Sequence, residues 1–285
     1  MALTEAQYRH IERCLPTQRG NVTLDNLHVL NAILYVAEQG CKWRGLPKRF
    51  GNWHTIYTRM NRWAKSGVLD RVFAPLHRAQ IIRVTLEAVA LDRTLVKVHP
   101  DGMGALKKNG PQALGRSRGG WTTTIHLVAA DARTALPCAL SPGQAHEAPE
   151  GRKLLHRFGK RPCPIPVLMD RVYEGDETRH LAVALGDIPV LPPKQNRWTP
   201  WDDDRVLSRR RNEVERVFRR LKGVRRLFSR FDQLDVMFSA FITFALIVDG
   251  LRSCEQPLAT STRKPHEGMP PPERWLDIYT PHCVA

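Results

Sequence analysis

The chain has 285 residues, with 44 Lys and Arg against 28 Asp and Glu and a formal net charge of +16. That length suits one large domain or two modest ones, and a hydrophobic content of 42% is enough to fill a core. So large a positive excess calls for a polyanionic partner, because each phosphate contact releases counterions. Nucleic acid leads. A basic membrane-surface protein would need an amphipathic anchor or a lipid signal, and neither is visible.

The first 80 residues read as helices. Thr4 with Gln7 three residues on is a capping-box pattern ahead of Ile11. A longer helix is expected from about Leu24 to Gln39, its apolar Leu27, Leu30, Ile33, Leu34 and Ala37 at helical spacing, with Gly40 as the stop. After the loop containing Gly45, Pro47 and Gly51, a third helix runs Trp53 to Lys65, with Ile56, Met60 and Trp63 on one side and Arg59 and Arg62 near the polar side. Two helices, the second rich in Arg, fit a helix-turn-helix DNA reader, and a three-helix structural bundle would give the same pattern.

From Val84 the pattern changes. Val84 to Val98 is rich in β-branched residues and reads as a strand. A glycine-rich basic loop from Asp101 to Gly120 carries Lys107, Lys108, Arg116 and Arg118. Strands Thr122–Ala130 and Ala135–Leu140 follow, then a helix from about Ala148 to Phe158, then short strands at Ile165–Met169 and Ile188–Leu191. A strongly basic helix is expected from about Asp204 to Val224, and an apolar helix from Val236 closes the core. The order indicates an α/β (α+β) layered domain. Val236–Leu251 is too short for a membrane span and carries Asp249. The six cysteines are scattered without a CxxC pair, which argues against a zinc knuckle or a disulfide framework and for reduced thiols in a cytosolic protein. The first residues, MALTEAQYRH, lack an apolar signal core. The Pro-rich tail 253–285 is expected to be disordered.

Three carboxylates stand out by context. Asp92 interrupts the apolar stretch EAVALDRTLVKV, where burial is costly unless the group is paired or binds metal. Asp170 ends the strand VLMD, and sites in open α/β sheets are built at strand ends. Glu215 lies in RRRNEVERVFRRLKG, otherwise dominated by Arg. Each has a structural explanation: a salt-bridged strand residue, a helix N-cap, and an i,i+4 partner for Arg211 and Arg219. Together they match what two-metal phosphoryl chemistry needs, oxygen ligands that leave positions for phosphate and water.

The chain resembles bacterial insertion-sequence transposases of the insertion sequence five family over roughly residues 3–252. The segments that carry the likeness include LNAILYVAEQGCKWRGLPKRFGNWHTIYTRMNRWAKSG, LDRTLVKVH, ALGRSRGGWTTTIHLVAADA, SPGQAHEAPE, MDRVYEGD, IPVLPPKQNR and RRRNEVERVFRRLK. The resemblance implies a ribonuclease H-like catalytic domain over 84–252, preceded by a helical, helix-turn-helix-like DNA-binding domain over 1–80. It implies an Asp-Asp-Glu triad at Asp92, Asp170 and Glu215, both catalytic and metal-binding. Two Mg²⁺ ions are expected there, with Mn²⁺ able to substitute. The Glu sits in a motif of Tyr, two residues, Arg, three residues, Glu, six residues, Lys, matched by Arg211, Glu215 and Lys222. Glu213 with Arg209 offers a second register but places Arg220 where Lys is expected. Ser208 stands where the motif has Tyr, and Arg93 follows Asp92 where the family has a small residue.

The implied activity is cleavage and strand transfer at the terminal inverted repeats of a mobile element. The alternatives are a nuclease that only hydrolyses and a catalytically silent, transposase-derived DNA-binding protein or repressor. Double-stranded DNA is the expected partner, with a homo-oligomer assembled on it in the bacterial cytoplasm at the nucleoid and no membrane association. Phosphate contacts are expected from Arg211, Arg219 and Lys222 on the basic helix and from Lys107, Lys108, Arg116 and Arg118 on the loop. Arg59 and Arg62 are expected to read the element end. His126 and His146 fall in family-like segments and receive no role.

Overall fold

The computed structural model describes residues 2–18, 23–78, 88–130, 135–159, 164–194, 196, 198 and 204–254. The segment 131–134, between the two strands expected at Thr122–Ala130 and Ala135–Leu140, and the Pro-rich tail lie outside them, as does the beginning of the strand expected from Val84.

The N-terminal third is helical: α1 (Glu5–Arg9), α2 (Asn26–Gln39), α3 (Trp53–Lys65) and α4 (Val68–Arg78). The expected capping box is present on α1: the Thr4 hydroxyl accepts from the Gln7 backbone N–H at 3.2 Å, and the Gln7 side chain accepts from that of Thr4 at 3.0 Å. Asp25 caps α2 by accepting from His28 N at 2.6 Å. Gly40 ends α2 at φ 65°, a left-handed conformation, and a Cβ there would lie 3.0 Å from the Arg225 Cβ, so glycine answers both backbone and space. The connection between α2 and α3 is longer than a tight turn and holds two 3₁₀ turns, Trp43–Gly45 and Lys48–Phe50.

The sheet follows: β1 (Val89–Val98), β2 (Gly115–Ser117), β3 (Gly120–Ala129), β4 (Ala135–Pro142), α5 (Glu147–Phe158), β5 (Pro166–Met169), α6 (Asp176–Ala184) and β6 (Ile188–Val190). β3 runs antiparallel to β1, with β4 and β2 on its other edge; β5 runs parallel to β1 and β6 parallel to β5. An antiparallel meander extended by parallel strands, with helices on both faces, is the ribonuclease H-like arrangement. The basic loop is partly ordered, with a 3₁₀ turn at Lys107–Asn109 and β2 within it.

The long basic helix expected from Asp204 is broken into α7 (Arg205–Arg209), α8 (Asn212–Gly223) and α9 (Arg225–Phe228), followed by β7 (Ser229–Arg230) and α10 (Asp235–Cys254). Its charge is also partly answered within the protein. Arg210, Arg211, Arg220, Arg226 and Arg230 each pair with a carboxylate. Arg226 grips Asp232 through two nitrogens and donates to Cys41 O, while fully buried Arg230 donates to Thr123, Asp235 and two backbone carbonyls. Buried guanidinium groups need this degree of satisfaction.

The two sheet faces pack differently. Ala90, Val96, Ile125, Leu127 and Leu168 face a core shared with α8, α10 and the N-terminal helices, whereas Val89, Leu91, Val128, Val167 and Met169 face α5 and Tyr173. Burial on both faces explains why the strands read as apolar runs rather than alternating ones. α10 touches α2, α3 and α4, so the N-terminal helices share a continuous core with the sheet.

His126 is fully buried on β3, 2.8 Å from the Ser141 hydroxyl and 3.4 Å from that of Tyr173. Burial pushes its imidazole down to about 4, Glu150 opposing and Arg93 assisting. The unfolded chain takes up a proton below about pH 6.5, while the folded imidazole stays neutral to about pH 4. Stability is therefore lost as pH falls through that window, by about 2 kcal/mol between about pH 7 and 5 from this group. His126→Gln removes that part of the loss, seen as a smaller drop in urea midpoint between the two pH values. An equal drop in both proteins would contradict a buried neutral imidazole.

Candidate active site

The register of two parallel strands assembles the first half of the site. Leu91 pairs with Met169, so the next residues, Asp92 and Asp170, emerge side by side where β5 ends. Each Asp is anchored at one oxygen by the backbone that follows it: Asp92 Oδ1 accepts from Arg93 N at 2.7 Å, and Asp170 Oδ1 accepts from Arg171 N at 2.7 Å. The other oxygen of each is turned towards the same group. Arg211 Nη1 lies 3.2 Å from Asp92 Oδ2 and 3.7 Å from Asp170 Oδ2.

α8 supplies the third carboxylate. Glu215 Oε1 lies 3.9 Å from Arg211 Nη2, so one guanidinium stands among three carboxylates from β1, the end of β5 and α8. Arg211 itself sits at the break before α8, and Glu215 one turn into it, which makes them neighbours on one side. Glu213 pairs instead with Arg210 at 3.6 Å. Of the two registers, the one with Glu215 shares Arg211 with the two Asp residues.

The environments differ. Asp92 is 8% exposed, whereas the Glu215 side chain is about half exposed. Burial pushes the Asp92 carboxyl above the ordinary carboxylate range; its backbone hydrogen bond and Arg211 pull it down, and Asp170 and Glu215 push it up. An open cleft of about 380 Å³ beside the cluster is lined by Met169, Asp170, Val190, Ser208, Arg211 and Asn212 among others. Ser208, in the motif's Tyr position, thus borders this cleft. Arg93 pairs with Glu147 at the start of α5, which takes its guanidinium away from Asp92.

Among the described residues, no three His, Cys, Asp or Glu side chains stand close enough to hold a metal ion as placed. The donor chemistry nevertheless fits a hard divalent cation: three carboxylates already share one positive group, and two present an oxygen fixed by the backbone.

Sequence reasoning missed the layer under the cluster. Tyr173 is fully buried, its hydroxyl pushed up first by burial and then by Asp92 and Glu147. Gly151 of α5 is what lets it fit, since a Cβ there would lie 2.5 Å from the Tyr173 ring. Nothing in the local spelling of α5 marks that glycine, because its neighbour arrives from 22 residues away in sequence.

The expected DNA-contacting residues are spread over the surface. Lys107, Lys108, Arg116, Arg118, Arg62 and Arg219 are exposed, and Lys222 is half-buried. Arg59 is half-buried and donates to Leu24 O at 3.0 Å, a structural use that ties α3 to the entry of α2. Arg211 is held in the acid cluster.

The family model described as Transposase DDE domain matches residues 85–248, more than half of the chain, and spans all three carboxylates. The chain belongs to the DDE transposase family. A second model, described as Putative transposase of IS4/5 family, matches residues 3–73 of the same transposase chain. Uncharacterized protein y4sN of Sinorhizobium fredii (strain NBRC 101917 / NGR234) is 34% identical over 112 residues, which are 38% of this chain and 86% of that protein. Two solved structures are also similar. "Mos1 transposase paired-end complex with left transposon end" has a TM-score of 0.26 and 12% identity, covering 76% of this chain and 79% of that one. "Crystal structure of a pre-cleavage Mos1 transpososome" has 0.23 and 10%, covering 85% and 83%. At those scores neither bears on the site.

The geometry separates the two glutamates of α8. Glu215→Gln should lower DNA cleavage by at least ~100-fold, since even outer partners of a metal ligand typically cost 10–100-fold. Glu213→Gln should leave cleavage within a few-fold and cost under about 0.5 kcal/mol, as a solvent-accessible ion pair does. Cleavage assays on purified variants with matched folding decide it, and equal losses would contradict the assignment of Glu215.

Proposed function

We propose that this chain binds the terminal inverted repeats of its own insertion sequence and catalyses divalent-metal-dependent cleavage and strand transfer. The observation that carries the reading is the convergence of Asp92, within β1, Asp170, just past the end of the parallel strand β5, and Glu215 of α8 on one cationic group. Three carboxylates gathered around one guanidinium repel one another, and such an arrangement persists where positive charge is part of the design. A catalytically silent repressor has no use for it.

In the proposed reaction the oxygen of water attacks a phosphodiester at the element end. The bond from phosphorus to the 3′ oxygen breaks, leaving a free 3′-hydroxyl and a 5′-phosphate. That hydroxyl then attacks a phosphorus of target DNA, and a target 3′ oxygen leaves. Two divalent ions, Mg²⁺ with Mn²⁺ able to substitute, would be held by the three carboxylates and supply Lewis-acid activation of the attacking oxygen and neutralisation of the leaving one. Asp92 and Asp170 contribute oxygens oriented by backbone N–H groups, so little reorganisation is needed at the moment of reaction.

DNA is gathered by charge. Exposed Lys107, Lys108, Arg116 and Arg118 hold phosphates on one side, and Arg219 and Lys222 continue from the cluster along α8. Arg62, on the outer side of α3, is the better candidate for reading base edges, and Arg59 supports α3 from within. The N-terminal helices and the sheet thus divide recognition from chemistry, and the acting form is a homo-oligomer on DNA at the bacterial nucleoid. Among the described residues no helix is long and apolar enough to cross a membrane.

Asp92→Asn should abolish cleavage and keep binding to element ends, because a neutral amide replaces a charged ligand while phosphate repulsion falls. Arg62→Ala should reduce preference for element ends over random DNA, whereas Arg59→Ala should lower thermal stability with less effect on preference. Replacing Lys107, Lys108, Arg116 and Arg118 together should weaken binding to all sequences and flatten the salt slope by about 0.9 for each phosphate no longer neutralised. Gel-shift titrations at several salt concentrations, with cleavage assays on the same preparations, test all three. End binding that disappears together with cleavage in Asp92→Asn, or an unchanged salt slope, would count against the reading.

A further inference from the structure

We infer that Arg211 is a built-in counter-cation of the acid cluster, holding Asp92, Asp170 and Glu215 together until a divalent cation takes its place. The inference rests on the metal-binding reading of the cluster above. Nothing in the sequence motif requires this role, since an arginine at that position could equally have pointed outward to a phosphate.

Three features support it. Arg211 is the group that reaches all three carboxylates, with nitrogens at 3.2, 3.7 and 3.9 Å from them. Arg211 donates a hydrogen bond to Asp92 Oδ2 at 3.2 Å and meets Asp170 and Glu215 only as ion pairs at 3.7 and 3.9 Å, all longer than a good charge-assisted hydrogen bond of about 2.7–2.9 Å. Arg211 is also less enclosed than a core arginine. Its side chain is 29% exposed, it lies at the break between α7 and α8, and it borders the open cleft, which gives the guanidinium somewhere to go. Elsewhere in the same stretch the structure shows what a permanent arginine looks like: Arg226 and Arg230 are buried, at 4% and 0% exposure, and each donates several hydrogen bonds of 2.8–3.1 Å to carboxylates, backbone carbonyls and, for Arg230, the Thr123 hydroxyl.

The physical consequence is competition. Arg211 and a divalent cation draw on the same oxygens, so the cation-ready cluster is the fraction of molecules in which the side chain has swung out. If Arg211 is in place about nine-tenths of the time, the apparent affinity for the cation is about tenfold weaker than the cluster's own. In return the carboxylates stay gathered and charge-balanced when no cation is present.

The test is direct Mn²⁺ binding to the full chain without DNA, followed by electron paramagnetic resonance of free Mn²⁺. Arg211→Gln should bind Mn²⁺ about tenfold more tightly than the unaltered protein, by the same competition. Arg211→Lys, a point charge that cannot span three carboxylates, should fall between the two and guards against misfolding of the Gln variant. Arg219→Gln removes one positive charge a turn beyond Glu215 and controls for simple field effects; it should change the affinity less than twofold. Asp92→Asn added to Arg211→Gln should remove the tight Mn²⁺ site. Equal affinities for the unaltered protein and Arg211→Gln, or an equal gain from Arg219→Gln, would overturn the counter-cation role alone. Tight Mn²⁺ binding that survives Asp92→Asn would overturn the metal-binding reading of the cluster, and this inference with it.

Discussion

Like charges brought to within a few ångströms of one another must be neutralised, and that constraint organises the centre of this molecule. Asp92 and Asp170 are forced together by the β1–β5 register, and Glu215 is delivered by α8. Their backbones cannot be moved apart without dismantling a strand pair or a helix packed through Val214, Val217, Phe218 and Leu221, which leaves the side-chain charges to be balanced. In this structure Arg211 provides the opposing charge. That arginine lies at the break between α7 and α8, one turn before Glu215.

The same stretch shows how one composition serves two ends. Eleven Lys or Arg fall between 205 and 230, and read as charge alone they suggest an uninterrupted anion-binding face. Among the described residues, five of them are engaged by internal carboxylates. Arg226 and Arg230 act as pins. One ties the loop after α2 to the segment before α10, through Cys41 O and Asp232; the other ties β3 to the start of α10, through Thr123 and Asp235. Removing one partner of such a buried pair typically costs about 3–5 kcal/mol, because the remaining charge is left uncompensated. The pins, together with the apolar contacts of α10, make the N-terminal helices continuous with the sheet core.

Much of the fold was legible in the sequence, and so were the residues of the candidate site. The capping box at Thr4, the stop at Gly40, the span Trp53–Lys65 and the strands around Asp92 and Asp170 follow from local rules, in which side-chain spacing and turn chemistry act over a few residues. The three acidic residues were visible as charges in the wrong company. Their structural explanations are all realised as well: Asp92 is salt-bridged, Asp170 caps a 3₁₀ turn, and Glu215 is an i,i+4 partner of Arg211. These roles coexist with convergence, so no residue taken singly could have distinguished an ordinary ion pair from a site.

By itself the sequence determined the kinds of elements, their order, the basic character and the residues able to carry chemistry, because these depend on composition and on neighbours within a turn or two. Only the tertiary structure decided which charges meet. That Arg211 faces the acid cluster while Arg226 and Arg230 are buried, that Arg59 supports α3 from within while Arg62 is exposed, and that Gly151 makes room for Tyr173 are outcomes of contacts between distant segments. An arginine reads the same in sequence whether its partner will be a phosphate, a carboxylate or a carbonyl. Its role is fixed by the position of the opposite charge once the chain has folded.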